Sequence, residues 1–139
     1  MKSQAGFTFT ELLTVVTIVV MLAAVAVPRQ ALRNSDHRSV AVRALEANVR
    51  SSAHLSHEVW QATGKPLRMT LDGRKVEMRH GYPTATSISD AVVPSDEFRF
   101  ADGYWKHVDS DEGQGCAVLY IPPAKADADA VIISYTDGC

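Results

Sequence analysis

The chain has 139 residues and a formal net charge of -2, with 46% hydrophobic and 22% charged residues. That length suits one modest domain and leaves no room for two ordinary ones once a membrane-length segment is set aside. The charge balance argues against a dedicated nucleic-acid binder, which carries a strongly basic face. The mean hydropathy of -0.06 averages over two unlike parts, because apolar residues crowd positions 12–27.

Residues 1–6 are polar with one cation, Lys2, and they lead into an apolar run of 21 residues from Phe7 to Val27. As a helix this run measures about 31 Å, the thickness of a bilayer's hydrocarbon core. Lys2 and the amino terminus ahead of the run place the N-terminus in the cytoplasm and export the remainder, although Arg29 and Arg33 beyond it weaken that signal. Glu11 interrupts the apolar surface, and an ionised carboxylate there costs about 3 kcal/mol unless it has a partner. Cleavage after Gly6 would create one, since a new amine on Phe7 titrates near ~8 and is largely cationic at neutral pH. Phe7 and Glu11 are four apart on one helix face, and the carboxylate sits in the first turn, where the helix dipole favours it. In a bundle of such helices the same carboxylate can reach a neighbour's amine and fix axial register.

The segment Gly6-Phe7-Thr8-Phe9-Thr10-Glu11-Leu12-Leu13 resembles the type IV prepilin signal, a glycine followed by Phe-Thr-x-x-Glu and an apolar run. The resemblance implies a leader peptide, 1–6, removed by a prepilin peptidase after Gly6, and N-methylation of Phe7. It implies a charge pair of Glu11 with Phe7 in assembly and a hydrophobic membrane and filament-core helix over 7–28. It also implies an α+β pilin fold, in which a long N-terminal helix spine packs on a C-terminal antiparallel sheet. The partners implied are further copies of the chain in a helical homopolymer, the inner membrane before assembly, the pilus assembly machinery, and a host or abiotic surface. The location implied is the inner membrane with the head in the periplasm, then an extracellular pilus. Val20 stands where the family pattern commonly has glycine, so the resemblance does not by itself imply melting of the helix before Pro28. A proline inside a helix removes a hydrogen bond and crowds the preceding turn, which predicts a kink there. Two other readings of the N-terminus compete. Ala24-Val25-Ala26 resembles a signal-peptidase site, making residues 1–26 a removable secretory signal, and an uncleaved anchor is the other.

The head spans 29–139. Val42, Leu45, Val49, Ala53, Ser56 and Trp60 recur at spacings of three and four, which predicts an amphipathic helix to about residue 63, stopped by Gly64-Lys65-Pro66. Leu67, Met69 and Leu71, then Val76 and Met78 across Asp72-Gly73, alternate as a β-hairpin. Residues 97–100, 104–108, 116–121 and 131–135 are further strand candidates in one antiparallel sheet over the helix. The segment His80-Gly81-Tyr82-Pro83 resembles the G-Y-P stretch of the mannose-sensitive haemagglutinin branch of type IV pilins. Cys116 and Cys139, a lone pair in an exported chain, predict a disulfide in an oxidising compartment. The resemblance to type IV pilins, whose disulfide-bounded C-terminal region is often exposed, implies residues 115–139 as a candidate contact surface, beside the plainer reading of a purely structural bridge.

No enzyme constellation emerges. His54 and His57 lie three apart on the helix and can ligate a metal only with an added carboxylate, so a filament-facing or solvated surface is the plainer reading. Asp109-Ser110-Asp111-Glu112-Gly113 lacks the full spacing of a calcium loop, and Asp127 and Asp129 lie in a loop of their own. No metal or cofactor is expected, nor any nucleotide, haem or nucleophile motif. Lys125 and the arginine-bearing strands give nucleic acid only a weak foothold. Two related functions stand beside the pilus subunit. One is a pseudopilin of a type II secretion system, whose major members rely on a calcium loop rather than a bridge. The other is a minor pilin acting as an adhesin or in DNA uptake.

Overall fold

The computed structural model describes residues 8–110 and 115–139, with the side chains of 25–35 set aside. Gly6, Phe7, the Asp111–Gly113 part of the acidic loop and the side chain of Pro28 lie outside the described residues. The chain divides into two units, residues 1–36 and 37–139.

The helix α1 runs from Phe9 to Ala62 and belongs to both units. In the first unit its described surface is mostly apolar, with Phe9, Leu12, Leu13, Val16, Ile18, Val20 and Leu22 all exposed and Thr10, Glu11, Thr14 and Thr17 exposed among them. In the second unit the helix is striped, with Val42, Leu45, Val49, Ala53 and Ser56 buried, the spacing the sequence predicts. Buried Ser56 is satisfied by donating its hydroxyl to the Ser52 carbonyl at 2.7 Å. Trp60, at the end of that stripe, is only half-buried and donates its indole N–H to the Pro66 carbonyl at 3.0 Å. The helix stops because Gly64 and Lys65 turn left-handed, which lets the Lys65 N–H reach back to the Trp60 carbonyl at 3.0 Å, a Schellman closure.

Strands β1 (Arg68–Leu71) and β2 (Arg74–Arg79) form the expected hairpin, with Leu71 facing Arg74 across Asp72-Gly73. Both turn residues have positive φ, the type I′ geometry that Asp-Gly favours. The same geometry recurs twice. His80-Gly81 turns β2 into the two-residue strand β3 (Tyr82–Pro83), and Asp102-Gly103 joins β4 (Phe98–Ala101) to β5 (Tyr104–His107). A single-turn helix, α2 (Ile88–Ala91), lies between β3 and β4, and β6 (Ala117–Ile121) and β7 (Val131–Tyr135) complete the order.

The strands therefore make two antiparallel sheets, β1-β2-β3 and β4-β5-β6-β7, where the sequence predicts one. Residues 84–97 separate them, a turn-rich stretch whose inner backbone bonds go into local turns and α2, while its ends reach β2 and the residue after β5. The architecture is α+β, with the head stretch of α1 packed on antiparallel sheets. Its core joins Val42, Leu45 and Val49 to Trp105, Val118 and Tyr120 of the four-stranded sheet, to Tyr82 of β3 and to Ile88 of α2. Polar groups reach across the same seam. Glu46 accepts the Ser134 hydroxyl of β7 at 2.7 Å and pairs with Arg50 at 2.8 Å, and those contacts hold its carboxyl below the usual range.

Candidate functional site

The described end of α1 is built by its own first four residues. Thr8 is the N-cap: its backbone N–H donates to Glu11 Oε2 at 3.3 Å, and the Glu11 N–H donates back to Thr8 Oγ1 at 3.4 Å. This reciprocal capping box uses the threonine and glutamate of the Phe-Thr-x-x-Glu segment to satisfy two backbone donors that a helix start leaves open. The Thr-x-x-Glu spacing was readable in the sequence, yet the charge pair drew the reading to Phe7 and passed over Thr8. Phe7 itself lies outside the described residues.

Beyond the cap, the polar groups of the apolar run turn inward on the helix. Thr14 donates to the Glu11 carbonyl at 2.8 Å, and Thr17 donates to the carbonyls of Thr14 at 2.8 Å and Leu13 at 3.1 Å. The Thr8 and Thr10 hydroxyls bond each other at 3.1 Å. Hydroxyls bonded this way need no water or outside partner, the condition for a helix surrounded by hydrocarbon or by other apolar helices. Among the described residues no helix is long and apolar enough to cross a membrane. The described part of the run reaches Ala24, whereas the predicted span extends beyond it at both ends.

In the head, the G-Y-P segment clamps α1 to both sheets. His57 Nδ1 donates to the Gly81 carbonyl at 2.8 Å, and its Nε2 meets Gln61 Nε2 at 2.7 Å. The imidazole stacks on Tyr82 at a centroid distance of 4.5 Å. Tyr82 donates its hydroxyl to Asp129 at 2.9 Å, and the Pro83 carbonyl accepts the buried Tyr120 hydroxyl at 2.8 Å. Gly81 has a φ of +87°, and a Cβ there would lie 2.8 Å from the His57 ring. His57 is thus a packed, half-buried residue where a filament-facing or solvated one was expected, while His54 is exposed. Asp129 anchors a loop, and Asp127 and Lys125 are exposed beside it. Among the described residues no group of three His, Cys, Asp or Glu side chains is placed to hold a metal ion.

Cys116 and Cys139 are bonded as a disulfide, with Cα atoms 4.8 Å apart, and both are buried. The bridge fastens the segment after β7 to the strand before it in the sheet.

A disulfide-closed head carried on a helix whose other stretch is bare apolar surface, capped by Thr8 and Glu11, is an arrangement consistent with the pilin fold. Residues 1–27 match the prokaryotic N-terminal methylation motif, the type IV prepilin signal. That match marks a pilin-like or pseudopilin-like secreted protein of structural type, made as a membrane-anchored precursor and handled by a prepilin peptidase and assembly machinery. No curated protein and no solved structure matches the chain.

Proposed function

We propose that this chain is the structural subunit of a type IV pilus, cleaved after Gly6, methylated on Phe7 and polymerised through residues 7–28 into an extracellular filament serving adhesion or motility. The observation that carries the reading is the prepilin motif leading into a helix whose large apolar side chains from Phe9 to Leu22 are exposed, with no cover among the described residues. Burial of that surface drives assembly, first in the bilayer and then among copies of the same helix.

Glu11 supplies register. Its carboxylate is held 3.3 Å from the Thr8 nitrogen, and a freed Phe7 amine lies only three covalent bonds from that nitrogen. The charge pair forms first within one subunit, and the carboxylate passes to a neighbour's amine when helices pack. Pro28 places a bend at the end of the core segment. The Cys116–Cys139 bridge favours a pilus subunit over a pseudopilin, and the surface it bounds is the candidate for contact with other surfaces.

Mass spectrometry of the N-terminus of sheared surface filaments tests the proposal. The expected result is a chain beginning at N-methylated Phe7, and a chain beginning anywhere else overturns it. Glu11→Ala is expected to leave membrane insertion intact while filaments and methylation fall sharply. Unaltered piliation and methylation in that variant would remove the charge pair from the scheme.

A further inference from the structure

Arg38 stands in the first turn of α1 after the chain enters the head at His37. Its guanidinium is nevertheless bonded to the far end of the chain. Nε donates to the Cys139 main-chain oxygen at 2.7 Å, and Nη1 donates to the Asp109 carbonyl at 3.3 Å. These are charge-assisted bonds, about twice as strong as neutral ones, and Arg38 is half-buried where it makes them.

The two acceptors come from two different segments of the chain. Asp109 follows β5, and its N–H is held by His107 Nδ1 at 3.2 Å. Cys139 follows β7 and is tied to Cys116, which has no exposed surface and whose carbonyl accepts the His107 N–H at 3.0 Å. Among the described residues the tail also makes main-chain bonds from Gly138 to Gly115 and from Cys139 to Thr136, both at 3.1 Å. Such bonds alone restrain a four-residue stretch weakly, because every residue kept in place loses backbone entropy. The covalent bridge is what keeps the Cys139 oxygen beneath Arg38.

We propose that Arg38 and the Cys116–Cys139 bridge form a redox-dependent latch that orders the entry turns of the head helix. In the closing step the two thiols lose two protons and two electrons as the S–S bond forms. An external disulfide accepts those electrons and leaves as two thiols. The Cys139 oxygen then docks on Arg38, and residues 38–44 of α1 become fixed to the sheet. In a reducing compartment the bridge is open, Arg38 loses its strongest acceptor, and the same turns fray. Final ordering of the head therefore waits for arrival in an oxidising compartment. Arg38 is a positioning residue: it touches neither sulfur and carries the state of the bridge to the helix.

Hydrogen exchange followed by mass spectrometry on the full chain in detergent micelles tests the latch. Four samples are compared: oxidised chain, chain reduced with dithiothreitol, oxidised Arg38→Ala and oxidised Arg38→Lys. Reduction and Arg38→Ala are each expected to speed exchange of amides 39–44 about tenfold, the effect of losing one charge-assisted bond. In oxidised Arg38→Ala, amides 131–139 stay protected, and reducing that variant adds nothing further at 39–44. Arg38→Lys recovers part of the protection. Faster exchange confined to 115–139 on reduction overturns the latch, and so does unchanged exchange at 39–44 in Arg38→Ala. Should reduction melt the whole head, the Arg38→Ala arm decides by itself.

Discussion

The two stretches of α1 share one backbone conformation and differ in where their apolar surface goes. Between Phe9 and Leu22 the apolar side chains point in every direction and remain exposed, with Val16 51% accessible. Between His37 and Ala62 the buried ones form one stripe, and Val49 at its centre is 0% accessible within the head core. The polar groups divide the same way. Thr14 and Thr17 bond back to their own helix, whereas Arg38, Glu46 and His57 reach across to Cys139, Ser134 and Gly81. A helix striped by sequence finds its cover within the chain, while one apolar on all sides needs cover from a bilayer or from other helices.

The same substitution in each stretch is the most forceful test of that difference. Val49→Asp buries an unpaired charge among Val42, Leu45 and Val118 and should cost more than about 4 kcal/mol, enough to unfold the head. Val16→Asp should leave the thermal transition of the head within about 0.5 kcal/mol of the parent. It should instead lower membrane integration, with a cost of about 3 kcal/mol for a charge in mid-segment. Circular dichroism melts in detergent and a membrane-integration assay read the two effects. A matching loss of head stability in Val16→Asp would break the comparison.

Next in size is the bridge, which belongs to the head alone. Replacing Cys116 and Cys139 together by serine reopens a loop with a sequence separation of 23. The chain-entropy relation gives a loss of about 3 kcal/mol in urea titrations of the full chain. Helicity of residues 9–24 should be unchanged at denaturant concentrations where the variant head has unfolded.

Much of this organisation was legible in the sequence because it rests on periodicity and local turn chemistry. The stripe Val42, Leu45, Val49, Ala53 and Ser56 needed only the helical repeat, and the β1–β2 hairpin needed only Asp72-Gly73. The second Asp-Gly turn, at 102–103, carried the same signal but was passed over between two strands already assigned. The division into two sheets was not legible, since β3 is two residues long and shows no alternation. Nor were the bonds from Arg38 to Cys139 and from Tyr82 to Asp129, which join residues 101 and 47 positions apart. At the N-terminus the motif is plain, and the charge pair follows from the spacing of Glu11 and Phe7. The capping role of Thr8 needed geometry to bring it forward.

The G-Y-P clamp gives a smaller and sharper pair. Gly81→Ala meets both a left-handed φ and the His57 and Trp60 rings at 2.8 to 2.9 Å. Strain and overpacking together should cost about 2 to 3 kcal/mol. Gly73→Ala has a similar φ of +80° with nothing within 4 Å, so about 1 to 2 kcal/mol of backbone strain is expected there. Equal losses in thermal melts of the two variants would mean that the contact with His57 does not restrain the head.

The smallest effect depends on pH. Burial, and to a lesser degree the neighbouring Tyr82, raises the Tyr120 phenol above its ordinary value of 10.0. Below pH 10 both folded and unfolded chains keep the proton, and the bond from Tyr120 to the Pro83 carbonyl is fully present. Above it the unfolded phenol ionises first, so the unfolded state holds fewer protons and stability falls by about 1.4 kcal/mol per pH unit. Tyr82, raised by burial and by its bond to Asp129, adds to the same limb. Tyr120→Phe should therefore cost about 1 kcal/mol at pH 8, and its deficit against the parent should shrink as pH passes 10. The stretch from Thr8 to Ala24 carries Glu11 as its one ionisable side chain, so its helical signal should persist at pH 11 while the head melts. A deficit that is constant with pH, or a first stretch that melts together with the head, would show that the two parts of α1 are not independently stabilised.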